Sequence, residues 1–167
     1  MTTATETTVT TQVYRVYINA PAQKIWDAIT DPEWNGRYGY HARQEYDLEV
    51  GGSYRALATA EMREFGAPEV LIDGEILELD PPRRLVQTWH AYFDEATSAE
   101  PATRLTWELH EGDAGSTELT VTHEVTGAPS TASVVRGDGG PEGGGGGWAW
   151  IISDLKTFLE TGNAIGG

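Results

Sequence analysis

Four histidines, His41, His90, His110 and His123, and a surplus of carboxylates are the groups through which this chain could do acid/base or metal chemistry. The histidines lie on separate segments, no HExxH pairing occurs and there is no cysteine, so no metal centre is expected. Twenty glycines produce neither a GxGxxG fingerprint nor a phosphate-cradling loop, and Ser53, after Gly51-Gly52, lacks the glycine that would complete a nucleophile elbow. Glu108, Glu118 and Glu124 fall on the polar side of alternating segments. No carboxylate pair has a spacing that implies shared proton transfer. The pattern names no catalytic residue and no cofactor.

His123 stands apart because it alternates in step with Leu119, Val121 and Val125 and therefore faces the apolar side of its strand. It reads either as a neutral histidine hydrogen-bonded within the core or as a polar anchor in a cavity. Six tryptophans in 167 residues exceed what core filling usually needs. Core packing and ligand lining are both open to them. The candidate cavity residues are Trp34 and Tyr38, Trp89, Trp107, Val121 and His123, and Trp148, Ile152 and Leu155. Arg83 and Arg84 read as turn charges.

These residues need elements to position them. Trp148, Ile151, Ile152, Leu155, Phe158 and Leu159 recur at three- and four-residue steps, which predicts an amphipathic helix closed by Gly162-Asn163. Ser153, Asp154, Lys156, Thr157 and Glu160 fill its polar side. At about 1.5 Å per residue the helix is roughly 20 Å long, enough to cross a sheet. Earlier, Val13 to Ile18 predicts a strand, Pro21 opens a short helix through Ile25, Trp26 and Ile29, and Asp31-Pro32 starts a second turn. From Ala42 the texture is extended: 42–50, 53–62, 70–79 and 84–93, parted by Gly51-Gly52, a turn at Phe65 to Pro68, and Asp80-Pro81-Pro82. A hairpin follows, with Leu105, Trp107 and Leu109 alternating against polar residues on one arm and Leu119 to Val125 on the other. Six or seven strands joined by short turns predict an antiparallel sheet, hence an α+β domain with the last helix on its apolar face. Residues 127–147, rich in glycine and small polar residues, read as a mobile flap, and residues 1–11 as frayed.

Length and 39% hydrophobic content fit a single domain spanning 1–167. Twenty-six acidic against eleven basic residues give a formal charge of −15, which repels phosphate backbones and anionic membrane surfaces. No nucleic acid and no membrane partner is expected. The first residues carry neither a basic nor an apolar signal segment, so the default location is the cytoplasm.

The phrases INAPAQKIWDAITDPEW (18–34), DLEVGGSYR (47–55), GEILELDPPRRLVQTW (74–89), TRLTWEL (103–109), ELTVTHE (118–124) and GWAWIISDLKTFLETG (147–162) carry a family likeness. In that order the chain resembles the START-like, helix-grip superfamily, and within it the bacterial proteins similar to the activator of the heat-shock-protein ATPase. The resemblance implies a curved antiparallel sheet gripping the long last helix, two short helices after the first strand, and a cavity between helix and sheet. Together with the tryptophan surplus, it makes binding of a hydrophobic or aromatic small molecule the leading expectation. One alternative is an enzyme of the cyclase or dehydratase kind using His123 with a tyrosine or arginine. Another is a protein-interaction module of co-chaperone type. Eukaryotic co-chaperones of this kind carry a further N-terminal domain, for which 167 residues leave no room. A chaperone and a second copy of the chain, as a homodimer, remain as further partners.

Overall fold

The computed structural model describes residues 10–140 and 146–165. The frayed segment expected at 1–11 therefore falls almost wholly outside the described residues, as do residues 141–145 of the expected flap. Seven antiparallel strands form one sheet: β1 (Thr11–Ile18), β2 (Arg43–Tyr46), β3 (Ser53–Leu57), β4 (Val70–Asp80), β5 (Arg84–Ala91), β6 (Thr103–Glu111) and β7 (Thr117–Glu124). Their order across the sheet is β1-β7-β6-β5-β4-β3-β2, so every pair except β1–β7 joins sequence neighbours. Between β1 and β2 come α1 (Ala22–Thr30) and α2 (Pro32–Asn35), and α6 (Gly147–Thr161) closes the chain. This is the α+β helix-grip arrangement.

Alternation does what it should on the central strands. Leu105, Trp107 and Leu109 on β6 and Leu119, Val121 and His123 on β7 point to the buried face. The outer face carries ion pairs, such as Arg84 with Glu78 and Glu108, and Arg104 with Glu78 and Glu124. Against the inner face α6 buries Trp148, Ile152, Leu155 and Leu159, while Lys156 Nζ donates to the Tyr17 carbonyl at 2.8 Å and ties the helix's second half to the end of β1. No described helix is long and apolar enough to cross a membrane.

Three local readings are corrected. The extended stretch predicted over 53–62 ends at Leu57; Thr59 then caps α3 (Ala60–Glu64) by accepting from the Met62 amide at 3.1 Å, and Ala-Glu-Met-Arg-Glu are good helix formers. The flap at 127–147 contains α5 (Pro129–Arg136), which buries Thr131, Ala132 and Val135. Its exposed amides are satisfied from a distance: the Glu100 carboxylate accepts from Ser130 N (2.6 Å), Thr131 N (2.8 Å) and Thr131 Oγ1 (2.8 Å). Burial opposes ionisation of that carboxyl, but these donors hold it below the ordinary glutamate range. Between β5 and β6 a further turn, α4 (Glu95–Ala99), is closed by a capping box of Asp94 and Thr97.

The third correction concerns Asp154, which the helical pattern puts on the polar side of α6. It is 1% exposed. Its carboxylate accepts from Gly39 N at 2.7 Å and from Ile165 N at 2.6 Å, so one acidic side chain holds both the α2–β2 loop and the chain beyond α6. Gly147 makes the start of α6 possible. It has a φ of +62°, and a side chain there would collide with the Val135 carbonyl and the Gly137 amide, so α5 and α6 meet backbone to backbone. Replacing Asp154 with alanine removes the acceptor for two amides and is expected to cost about 3 kcal/mol in urea unfolding, with Asp154→Asn costing less. An unchanged midpoint in the alanine variant would show that the loop is held by other contacts.

Candidate functional site

The buried polar centre starts at His123. The Trp148 indole N–H donates to His123 Nδ1 at 3.0 Å, so the ring proton resides on Nε2, which donates to Thr103 Oγ1 at 2.7 Å. The Thr103 hydroxyl in turn donates to the Trp89 carbonyl at 2.7 Å. Both ring nitrogens are thereby used inside the fold. Trp89 packs edge-on to His123 with ring centres 4.9 Å apart, and Trp148 packs edge-on to Trp107 at 5.3 Å. Burial pushes the His123 pKa down to about 3, so the ring is neutral.

Beside this centre, towards β2 to β5, α6 and the sheet part to leave a cavity of about 610 Å³. Its floor is Gln44 of β2, Ala56 of β3, Ile72 of β4 and Trp89 of β5. The first half of α6 supplies Trp148 and Ile151, α5 supplies Val134 and Val135, and the segment of α3 and its turn supplies Met62 and Ala67. Tyr38 and Tyr40 of the α2–β2 loop complete the rim; the Tyr40 hydroxyl accepts from Gly146 N at 2.9 Å and joins the loop to the start of α6. Among the described residues, none that lines the cavity is acidic, basic or histidine.

Of the nine residues predicted from sequence, Tyr38, Trp89 and Trp148 line this space and six do not. Trp107, Val121 and His123 on β6 and β7 and Ile152 and Leu155 on α6 are all buried but outside the cavity lining. All five belong to the packed core. Trp34 is 40% exposed on the outside, near Phe158 at 6.4 Å and with the Arg37 guanidinium 4.6 Å above its ring. Tyr38 stacks on Phe158 at 5.9 Å and donates to the Ala28 carbonyl at 2.9 Å, which aligns it along the rim.

Sequence reasoning missed Gln44, Ala56, Met62, Ile72 and the α5 residues. Gln44 and Ala56 follow from strand parity once Tyr46 and Tyr54 are known to face inward. The two-sided 70–79 segment gave no such clue, and α5 was hidden by its glycine-rich surroundings.

A family model described as "Activator of Hsp90 ATPase homolog 1-like protein" matches residues 19–160. The chain belongs to that family. Among solved structures, protein MLL2253 from Mesorhizobium loti superposes with a TM-score of 0.66 at 22% identity, covering 90% of this chain and 96% of that one. PFC0360w, an HSP90 activator from Plasmodium falciparum, gives 0.62 at 18% identity over 90% and 96% of the two chains. The Aha1 dimer from Colwellia psychrerythraea gives 0.60 at 18%, over 91% and 97%. At these identities the likeness is one of fold. A comparison with curated proteins found no match.

The geometry of His123 has a pH consequence. Its pKa is lower in the folded chain than in the unfolded one, where it lies near the ordinary value of 6.5. The unfolded state therefore binds the extra proton first, and stability is lost as pH falls from about 6.5 towards 3, by up to about 1.4 kcal/mol per unit. Urea unfolding at pH 7 and pH 5 should show a wild-type loss roughly 2 kcal/mol larger than that of His123→Gln. Equal losses in the two proteins would mean that His123 is not buried as a neutral ring.

Proposed function

We propose that this domain binds a hydrophobic or aromatic small molecule in the cavity between α6 and the sheet. The observation that carries the reading is the cavity itself: about 610 Å³, faced by Trp89 and Trp148 and by aliphatic side chains. That volume lies within the range of sites for drug-sized ligands. Acid/base chemistry through His123 gains no support from the geometry, because the ring sits outside the cavity lining with both nitrogens occupied.

A chaperone partner is a second reading. Family membership supports it, as does the likeness to an HSP90 activator, and Phe65 is 86% exposed away from the core. A second copy of the chain is a further partner, supported by the likeness to a dimeric protein.

Titration with aromatic compounds, followed by tryptophan fluorescence and thermal shift, tests the leading reading. Ala42 also lines the cavity, and Ala42→Trp, which fills that position, should weaken binding by about tenfold or more while leaving the melting temperature of the free protein within a few degrees. Binding unaffected by that substitution would place the ligand elsewhere. For the chaperone reading, the expected result is stimulation of an Hsp90 ATPase that falls in Phe65→Ser; absence of stimulation by the wild-type protein would exclude it.

A further inference from the structure

The cavity floor contains an arrangement that the ligand-binding reading does not use. Gln44 Oε1 accepts the proton of the Tyr54 hydroxyl at 2.8 Å, and Gln87 Oε1 accepts that of the Tyr46 hydroxyl at 3.0 Å. The two tyrosine rings lie against each other with centres 4.7 Å apart. With each amide oxygen taken by a tyrosine, each NH₂ group is left as a pure donor. Gln44 lines the cavity, and no hydrogen bond is made by its Nε2 among the described residues. On the same inner face Gln87 Nε2 and Trp107 Nε1 are buried, also without a full hydrogen bond, the Trp107 indole lying by the Tyr46 hydroxyl. These lie one step along the same sheet face: Gln87 is two residues from Trp89 on β5, as Tyr46 is two from Gln44 on β2. The floor and the adjoining part of that sheet face thus hold side-chain donors that lack acceptors. No side chain lining the cavity among the described residues carries a charge.

From this we infer that the cavity selects neutral aromatic molecules bearing a hydrogen-bond acceptor, of the ketone or quinone class, with Gln44 Nε2 donating to the ligand oxygen. The inference rests on the ligand-binding reading and narrows it. A pure hydrocarbon would bury the Gln44 donor unpaired, and a site built to hydrogen-bond its ligand discriminates against analogues that lack the partner. An ionised carboxylate would find no cation among the described lining residues, in a chain of net charge −15. Aromatic rather than aliphatic ligands are favoured by the Trp89 and Trp148 rings, which pack against each other with centres 6.2 Å apart and together line one side of the cavity.

The test compares fluorenone, fluorene and a fluorenone carboxylate, nearly equal in shape, by quenching of tryptophan fluorescence at neutral pH. Fluorenone should bind at least about tenfold more tightly than either of the others. In Gln44→Leu the two affinities should converge to within about twofold, because fluorenone loses its donor and fluorene no longer buries one unpaired. If Gln44→Leu does not fold, Gln44→Glu keeps the acceptor for Tyr54 while replacing the NH₂ donor, and it too should abolish the fluorenone preference. Equal affinities for fluorenone and fluorene in the wild type, tightest binding of the carboxylate, or a preference that survives both substitutions would overturn the inference while leaving ligand binding intact. If none of the three compounds binds, the ligand-binding reading fails and this inference falls with it.

Discussion

One hydrogen bond sets the height of the last helix above the sheet: the Trp148 indole N–H to His123 Nδ1, 3.0 Å long and fully inside the protein. A side chain at the first turn of α6 reaches one on β7, and Thr103 relays the polar chain onward to the Trp89 backbone. Buried donors and acceptors are costly to leave unmet, so this chain fixes both the tautomer of His123 and the position of the helix start. Further along, Ile152, Leu155 and Leu159 bring α6 down onto the core. The helix is therefore pinned on one side of the sheet, and the space towards β2 to β5 stays open beside it.

The walls of that space are held by contacts of the same economy. Asp154 keeps the Gly39 loop against α6, Tyr40 meets Gly146, and Glu100 caps the distant α5. Gln12 donates to the Ala132 carbonyl at 3.0 Å, so α5 is also fastened to β1. Each links segments far apart in sequence. Polar anchoring around an apolar cavity lets the protein keep a void that hydrophobic collapse alone would tend to close.

Much of the framework was legible in the sequence, because period and punctuation carry it. The β6–β7 hairpin, α1, α2 and α6 follow from alternation, from Pro21 and Pro32, and from the Gly162 stop. His123 could be placed on the inner face from its neighbours, since strand parity allows no other side. Its partners could not, because Trp148 and Thr103 are 25 and 20 residues away and meet it only through topology. Asp154 was misread for the same reason: a helical wheel cannot tell a solvated carboxylate from one buried against two distant amides. Trp107 and Trp148 look alike in sequence, yet one is covered by α6 and the other borders the cavity. Glycine content concealed α5, whose N-terminal cap comes from Glu100 rather than from a neighbouring residue.

The central claim is that Trp89 and Trp148 face an open, ligand-accessible space while the other buried tryptophans do not. Fluorine NMR on protein labelled with fluorotryptophan, titrated with fluorenone, tests it most directly, since each of the six tryptophans reports separately. The account predicts that the Trp89 and Trp148 resonances shift with a common dissociation constant while those of Trp26 and Trp34 stay in place. Shifts confined to Trp34, or Trp89 and Trp148 unmoved at saturating ligand, would contradict it.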